Sequence, residues 1–336
     1  MRRGPSGLPT LLWVYAALAV AAISVGGVVA AFKASTDSPG NVITAATDFR
    51  APEVTAVAVV KSEGGTAGHV RQGGGYHVYA NVAADTGEPA SGIASVTADA
   101  SALTAGSTAV ALSAGSYTAD GASYGYRSAL LTADDPLAEG SAGFSVTATD
   151  SASNSDTASG TATVDNTAPQ ADDVQTSNAS GGSAGLAEAG DTLTLTSSEI
   201  LDPATILSGW TGASADVVVR IYDGGATADH VEIWAAGNAS ALPLGTVALG
   251  GTGYVTGGAG DHIEFGSAGT ASSMAQSGAA ITIALGSYQT PTAAVAGTES
   301  TSGTVEWTPS TTLTDRAGNA LGATAATESG AADVEL

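Results

Sequence analysis

From Val54 onward the sequence repeats one pattern: short runs in which every second side chain is apolar, followed by clusters of Gly, Ser, Asp or Asn. In YHVYANV, for example, Tyr76, Val78 and Ala80 fall on one side of the chain. Side chains of a β-strand point alternately to the two faces of its sheet, so this period of two indicates strands with one buried face. The chain after Phe32 has no helical pattern of comparable length. We therefore predict an all-β fold of antiparallel sheets.

The predicted strands fall into two blocks. The first has candidates at 54–60, 76–82, 93–98, 109–112, 124–131, 144–148 and 157–164, and the second at 193–195, 217–222, 231–235, 281–285 and 305–307. VDNTAP, ending at Pro169, separates the blocks because proline ends a strand. We predict β-sandwiches at 51–169 and 170–336, after a polar linker at 33–50. The terminal AADVEL is predicted to be a last strand.

The N-terminal segment, residues 1–32, has a different character. Arg2 and Arg3 precede an uncharged run at residues 11–32, and about 20 apolar residues suffice to cross a bilayer as a helix. Positive charge before the run and an acidic body after it place the body outside the cytoplasm. We predict a signal peptide or membrane anchor, membrane contact only through residues 11–32, and an extracellular or cell-surface location. A buried helix of a globular domain is the alternative.

The chain is strongly acidic, since 32 Asp and Glu residues against 9 Lys and Arg give a net charge of -23. Such a surface repels phosphate backbones, so nucleic acid is not an expected partner. Divalent cations are the natural counter-ions, and calcium is therefore the cofactor to consider. The sequence contains no cysteine, which excludes a disulfide framework and thiolate metal sites.

Two short segments place an asparagine four positions after an aspartate: Asp150 and Asn154 in TDSASN, and Asp315 and Asn319 in TDRAGN. An Asp side chain can accept hydrogen bonds from the backbone amides just ahead of it, which produces a tight turn when a later residue tolerates positive φ. Turn chemistry is one explanation for both segments. A calcium site is the other.

Calcium takes about six to eight oxygen ligands, so a single loop is insufficient and other residues must converge on it. Further candidates at the boundary between the blocks and in a loop of the second block are Asp165, Asn166, Asp172, Asp173, Glu199 and Asp202. The predicted calcium ligands are Asp150, Asn154, Asp165, Asn166, Asp315 and Asn319. An ion held there would stiffen the junction between the two blocks.

The sequence contains only weak matches to the motifs of catalytic sites. GASYG at 121–125 and GGSAG at 181–185 match G-x-S-x-G, but neither precedes the helix that exposes the serine of such hydrolases. Two of the four histidines, His77 and His230, alternate with inward residues and are predicted to face solvent. We predict that the protein is not an enzyme. A secreted hydrolase with Ser123 as nucleophile is the alternative.

Aromatic residues suggest a different ligand class. The candidates all lie in the second block: Trp210, Tyr222, Trp234, Tyr254 and Trp307. Trp234 is out of phase with Val231 and Ile233, which predicts an exposed ring, and exposed rings stack on sugars. Trp234 is therefore the candidate ligand residue of a polysaccharide-binding module. Packing of these rings over a sheet edge or under a loop is the alternative.

The first block combines a Tyr-rich second strand, FSVTATDSASN and a strand ending in VDNTAP, and it resembles bacterial immunoglobulin-like domains of cell-surface proteins. The second block, with GDTLTLTSSEILDP and LTDRAGNAL, resembles the Ig-like repeats of large surface and adhesin proteins. Ser153 stands where the first block's family usually has glycine. The resemblance implies non-catalytic spacers or adhesins, with other envelope or matrix proteins or polysaccharide as partners.

The segment AAFKASTDSPGNVITAATDF resembles the export region of the TasA and camelysin type of secreted matrix proteins. Gly40, Asn41, Ala45 and Phe49 match the spacing of that region. No later segment resembles the fibre domain of that family. The resemblance therefore implies a route of export and not an activity.

Overall fold

The structure, a computed structural model, describes residues 48–86, 90–334 and 336. In this part of the chain nearly every regular element is a strand, and nearly all strand pairs are antiparallel, which confirms the predicted all-β class. Helical structure among the described residues is limited to one α-helical turn, α1 (Pro203–Ile206), and a 3-10 turn at Ala236–Asn238.

The first sheet contains nine strands. They are β1 (Glu53–Lys61), β2 (His69–Val70), β3 (Gly75–Ala83), β4 (Ile93–Asp99), β5 (Val110–Ala119), β6 (Ala122–Ser128), β7 (Leu131–Thr132), β8 (Gly140–Asp150) and β9 (Ser155–Val164). Their order is β1-β3-β6-β5-β4-β8-β9-β2, with β7 beside β3. Within this sheet only β2 and β9 pair in parallel.

This sheet folds over on itself at β5, which pairs with β6 along most of its length and with β4 through Val110 and Ala111. Strands β1 and β3 then face β4, β8 and β9 across one apolar core. Tyr76, Val78 and Ala80 are fully buried there, as their alternation predicts. Burial of each large apolar side chain contributes roughly 1.5 to 3 kcal/mol, so this core is the main source of stability in the first block.

Thirteen more strands follow. They are β10 (Ala171–Ser177), β11 (Thr192–Ser197), β12 (Ala215–Tyr222), β13 (His230–Ala235), β14 (Thr246–Ala248), β15 (Val255–Thr256), β16 (His262–Phe265), β17 (Ser272–Ser277), β18 (Ala280–Ala284), β19 (Tyr288–Gln289), β20 (Val295–Ala296), β21 (Glu306–Thr308) and β22 (Ala326–Thr327). The second sheet has the order β10-β11-β18-β17-β12-β13-β14-β21-β22, with β16 beside β12 and β19 beside β16. Strands β15 and β20 pair separately.

The core of the second sheet contains most of the largest fully buried side chains among the described residues. Leu193 and Leu195 of β11 point into it, as predicted. Trp210, Tyr254 and Trp307 are buried, so the packing explanation holds for these three aromatic residues.

Sheet membership changes between β9 and β10, near the predicted boundary at Pro169. Below, the N-lobe denotes residues 48–168 and the C-lobe residues 169–336. Residues Ala46–Leu336 form one compact unit, and a division into two domains stays a prediction.

The expectation of a strand at AADVEL was wrong for the described residues of this segment. Asp333 forms only an isolated bridge with Gly303, and the carbonyl oxygen of Leu336 accepts a hydrogen bond from the N–H of Gly185. The chain end is therefore held by separate contacts with two loops and not by a continuous ladder.

Residues 1–47, with the predicted export segment and most of the polar linker, lie outside the described residues. In the described ranges no helix has the length and apolar character needed to cross a membrane.

Candidate functional site

The Asp150 loop joins β8 to β9. The Oδ1 atom of Asp150 accepts hydrogen bonds from the backbone N–H groups of Ala152 (2.9 Å) and Asn154 (2.8 Å). Its Oδ2 atom accepts one from the side-chain amide of Asn154 (2.9 Å). Ser153 adopts a φ of 74°, in the left-handed region that favours glycine. These bonds are local, so turn chemistry accounts for this motif.

The Asp315 loop makes the same two bonds to its asparagine and differs in the other backbone donor, which is three positions ahead in place of two. Oδ1 of Asp315 accepts from the backbone N–H groups of Gly318 (2.7 Å) and Asn319 (2.8 Å), and Oδ2 accepts from the Asn319 amide (2.8 Å). Gly318 has a φ of 98° and occupies the position that Ser153 holds in the first loop. Both loops are therefore the same turn, one with serine and one with glycine at its left-handed residue.

Each asparagine also binds the segment that enters its lobe. The Asn154 amide donates to the carbonyl oxygen of Asp48 (3.4 Å), and the Asn319 amide donates to that of Asp165 (2.9 Å). These aspartates begin similar segments, DFRAP at 48–52 and DNTAP at 165–169, which lead into β1 and β10. The loop thus ties the last hairpin of each lobe to its entry segment.

Three carboxylates meet beside the Asp315 loop. Oxygen atoms of Asp165, Glu199 and Asp315 all lie within 4.8 Å of one another, and we call these residues the C-lobe acidic centre. Asp315 is buried, and the Oε2 atom of Glu199 is buried without a hydrogen-bond partner. Burial raises the pKa of Glu199, and the charges of Asp165 and Asp315 raise it further.

A corresponding group lies beside the Asp150 loop: Asp48, Asp85 and Asp150, the N-lobe acidic centre. Asp85 follows β3 as Glu199 follows β11, each two residues after the strand ends. The Oδ2 atom of Asp85 is likewise buried without a partner. Burial raises the pKa of Asp85, followed by the charges of Asp48 and Asp150. Both lobes therefore carry one acid before the first strand, one after the strand that pairs with the first, and one in the last hairpin.

The C-lobe acidic centre suits a divalent cation in charge and in chemistry. Asp165, Glu199 and Asp315 would hold the ion, which would give the buried Oε2 atom of Glu199 the partner that it lacks. Calcium needs about six to eight oxygens, so carbonyl groups and water would have to complete the shell.

The predicted calcium ligands are distributed over three places. Asp165 and Asp315 meet in the C-lobe acidic centre, with Asn319 supporting both. Asp150 and Asn154 lie in the equivalent loop of the N-lobe.

Asn166 is a structural tether. Its Oδ1 atom accepts the backbone N–H of Gln72 (2.7 Å), and its amide donates to the carbonyl oxygen of Leu137 (2.8 Å). Asp173 binds the N–H of Ser329 (2.8 Å) and is not part of the centre.

A buried ion pair crosses between the lobes. The Nζ atom of Lys61, at the end of β1, donates to Asp202 and to the carbonyl oxygens of Asp315 (3.2 Å) and Arg316 (3.1 Å). Lys61 is 4% and Asp202 1% exposed. Asp202 also caps α1 through the N–H of Ala204 (3.1 Å). All three N–H donors of the ammonium have acceptors, which is the condition for burying a charge.

Trp234 lies on the outward side of β13 and is partly buried. The guanidinium of Arg220 lies 3.7 Å from its ring centroid, and its indole N–H donates to Glu232 (3.2 Å). Arg220 in turn pairs with Glu264 (2.9 Å). One face of the indole is therefore occupied by the protein itself, which leaves less ring surface for a sugar than the sequence pattern predicts.

The serines of the two G-x-S-x-G segments have no catalytic surroundings. Ser123 lies on β6 opposite Thr118 of β5, and Ser183 lies in the loop before β11. Among the described residues neither hydroxyl is hydrogen-bonded to a histidine. His77 instead contacts the carbonyl oxygen of Ser128 (3.1 Å), and His230 stacks on Tyr222 with ring centroids 5.1 Å apart.

Comparison with known proteins adds no relative. No family model matches the chain, and no curated protein matches it significantly.

Proposed function

We propose that the protein is an exported, non-catalytic component of the cell surface or matrix, in which two Ig-like β-sandwiches act as a structural spacer or adhesin. The acidic composition and the uncharged run at residues 11–32 support export. The pairing of strands into two successive sheets supports tandem sandwiches.

The observation that carries this proposal is the buried contact between Lys61 and Asp202, with two further carbonyl acceptors from the C-lobe. A buried ion pair adds little stability compared with apolar packing, but it requires one geometry. A junction built in this way transmits force without bending, which is what a spacer needs.

A divalent cation in the C-lobe acidic centre is the second part of the proposal. The buried, unpartnered Oε2 atom of Glu199, close to Asp165 and Asp315, favours it. An ion there would offset two of the three negative charges at the place where Asn319 binds the Asp165 carbonyl. Calcium would then make the junction stiffer.

The location is tested by treating intact cells with a protease and following the protein with an antibody against residues 48–336. We expect degradation without cell lysis. Full protection in intact cells, together with recovery in the cytosolic fraction, would remove the proposal.

Stiffness is tested with spin labels, because the chain has no native cysteine. Ser95→Cys on β4 and Ser277→Cys on β17 place one label on an exposed position of each lobe. Measurement of the distance between the two labels should give one narrow distribution, which broadens with Lys61→Met and stays narrow with Arg127→Met, a change at a partly exposed arginine of β6. A broad distribution without Lys61→Met would argue against a spacer.

Polysaccharide binding by the C-lobe stays the alternative. Binding on a glycan array that is lost with Trp234→Ala would favour it over the spacer. A hydrolytic activity lost with Ser123→Ala would favour the enzyme alternative.

A further inference from the structure

The outward face of the first sheet has a group of aromatic rings away from the main core. Tyr79 of β3 is only 6% exposed on this face, because Tyr117 and Tyr124 pack around it with ring centroids at 6.4 and 5.2 Å. Tyr117 and Tyr124 are themselves partly exposed. We call Tyr79, Tyr117, Tyr124 and Arg127 the tyrosine patch.

The backbone of β5 is shaped to hold one of these rings. Pairing with β6 is interrupted by a bulge between Ala114 and Tyr117, and the phenol ring of Tyr117 lies against Gly115. A Cβ atom at Gly115 would stand 2.7 Å from the Cζ atom and the hydroxyl oxygen of Tyr117, closer than atoms can approach. A larger residue there would therefore displace the Tyr117 ring, and space is the reason for glycine because its φ is not in the positive range that only glycine favours.

Arg127 completes the patch. Its guanidinium lies 4.5 Å from the ring centroid of Tyr117, within cation–π range. In the described residues Lys61 and Arg220 are paired with carboxylates, whereas Arg127 has no carboxylate partner. In a chain of net charge -23, an arginine that is partly exposed and lacks an acidic partner has its planar donors available for an external anion.

We propose that the tyrosine patch binds a carboxylated sugar. The carboxylate receives two N–H donors from Arg127, in the forked geometry that guanidinium and carboxylate share. The sugar ring packs on the accessible carbon surface of Tyr117 and Tyr124. Ser113, an exposed hydroxyl-bearing residue, lies opposite Arg127 on β5.

The charge of the chain selects this ligand over a polyanion. A densely charged polymer meets the field of the whole acidic surface, including Asp120, whose charge acts on Tyr124. A single carboxylate can instead be held at the Arg127 end of the patch, and salt screens charges beyond about 8 Å. Tyrosine and arginine are also common at protein interfaces, but a stable interface buries about 800 Å² on each partner, which requires apolar surface beyond these rings. The exposed large apolar residues of the described chain are Phe49, Leu130, Tyr288 and Val295, and none belongs to the patch.

The test uses two probes that differ only in the carboxylate, methyl glucuronide and methyl glucoside, with saturation-transfer NMR as readout. We expect the glucuronide to bind about tenfold more tightly, as a charge-assisted hydrogen-bonded pair allows. Arg127→Gln should reduce glucuronide binding to the level of the glucoside. Arg71→Gln removes an exposed arginine elsewhere on the N-lobe and should change nothing.

Gly115→Ala gives a second, independent variant, because the added methyl group displaces Tyr117 while the charge stays in place. It should weaken the binding of both probes, with an unchanged circular dichroism spectrum. Equal affinity for the two probes, or glucuronide binding unaffected by Arg127→Gln, would overturn the proposal. A sialic acid glycoside in the same series distinguishes uronic acids from other carboxylated sugars. The outcome does not depend on whether the junction is stiff.

Discussion

The two Asp–Asn loops share the hydrogen bonds between aspartate and asparagine but have different surroundings. The Asp150 loop closes an end of the N-lobe, where its asparagine contacts Asp48. The Asp315 loop faces the other lobe, and Lys61 donates to its carbonyl oxygens. Local turn chemistry thus produces the loop in either place. The element that packs against the loop decides whether it becomes part of a joint.

The acidic centres repeat this contrast. Both have a buried carboxylate oxygen without a partner, on Asp85 and on Glu199. Only the centre around Glu199 includes a residue, Asp165, of the segment that connects the lobes. A cation there would act on the junction, whereas a cation at the centre around Asp85 would act on the N-lobe alone.

The largest expected effect comes from removing the positive charge of Lys61, which is buried between the lobes. Lys61→Met leaves Asp202 buried without its partner, and breaking a buried pair costs about 3 to 5 kcal/mol. Urea unfolding should show this loss in the free energy of unfolding. The double change Lys61→Met with Asp202→Leu removes both charges and should recover most of the loss. A single variant as stable as the parent would mean that the pair does not hold the lobes.

The two loops themselves are compared by Asp150→Ala and Asp315→Ala. Each change removes the charged acceptor of two part-buried N–H groups, at a cost of about 1 to 3 kcal/mol in all because water can replace part of the lost bonds. Both variants should lose similar stability in urea. Only Asp315→Ala should also broaden the distance distribution between labels on the two lobes. Equal broadening by Asp150→Ala would contradict the distinction between the loops.

A smaller effect tests whether the loops are the same turn. Ser153→Gly removes the conformational cost of a side chain at positive φ and should stabilise the protein by about 1 kcal/mol. Gly318→Ser should destabilise the protein by a similar amount, because it places a non-glycine residue at positive φ. A steric clash would not add to this cost, since a Cβ atom at position 318 would be 3.5 Å from the Lys61 side chain. Thermal unfolding measures both changes. Effects of the same sign would show that the turns differ.

The smallest effect concerns pH. Burial raises the pKa of Glu199 above its value in the unfolded chain. The carboxyl group of Glu199 therefore binds its proton more tightly in the folded protein than in the unfolded chain. Stability due to this group is therefore present at low pH and is lost as pH rises through the raised pKa. Without divalent cations, Glu199→Gln should raise the melting temperature at neutral pH but not at acidic pH.

Saturating calcium should reverse that order at neutral pH, because the carboxylate binds the ion and the amide lacks its charge. The parent protein would then melt above Glu199→Gln. If calcium leaves both melting temperatures unchanged, the C-lobe acidic centre does not hold this ion, and the spacer proposal then depends on Lys61 and Asp202 alone.

Several features were predictable because they depend on nearest neighbours in the chain. Alternation identified β3, β8 and β11 and their inward residues, and the position of Ser153 and Gly318 in a left-handed turn follows from the Asp–Asn spacing. The similarity of DFRAP and DNTAP was also present in the sequence and marks both entry segments. It was missed because only three of the five letters agree.

Other features required the tertiary structure. Lys61 and Asp202 are 141 positions apart, and no periodicity connects them. Trp234 has the alternation of an exposed residue, but Arg220 on the neighbouring strand covers one face of its ring. The segment AADVEL has the composition of a strand, but in its described residues a single bridge forms in place of a ladder.

The sequence by itself determined the all-β class, the inward faces of the strands and the Asp–Asn turns, because these depend on side-chain alternation and on bonds spanning a few residues. Only the tertiary structure decided which turn meets Lys61, which acids gather around Glu199 and which arginine lies over Tyr117. Those contacts join residues far apart in the chain, and the free energy of burying a charge or a ring depends on what surrounds it after folding.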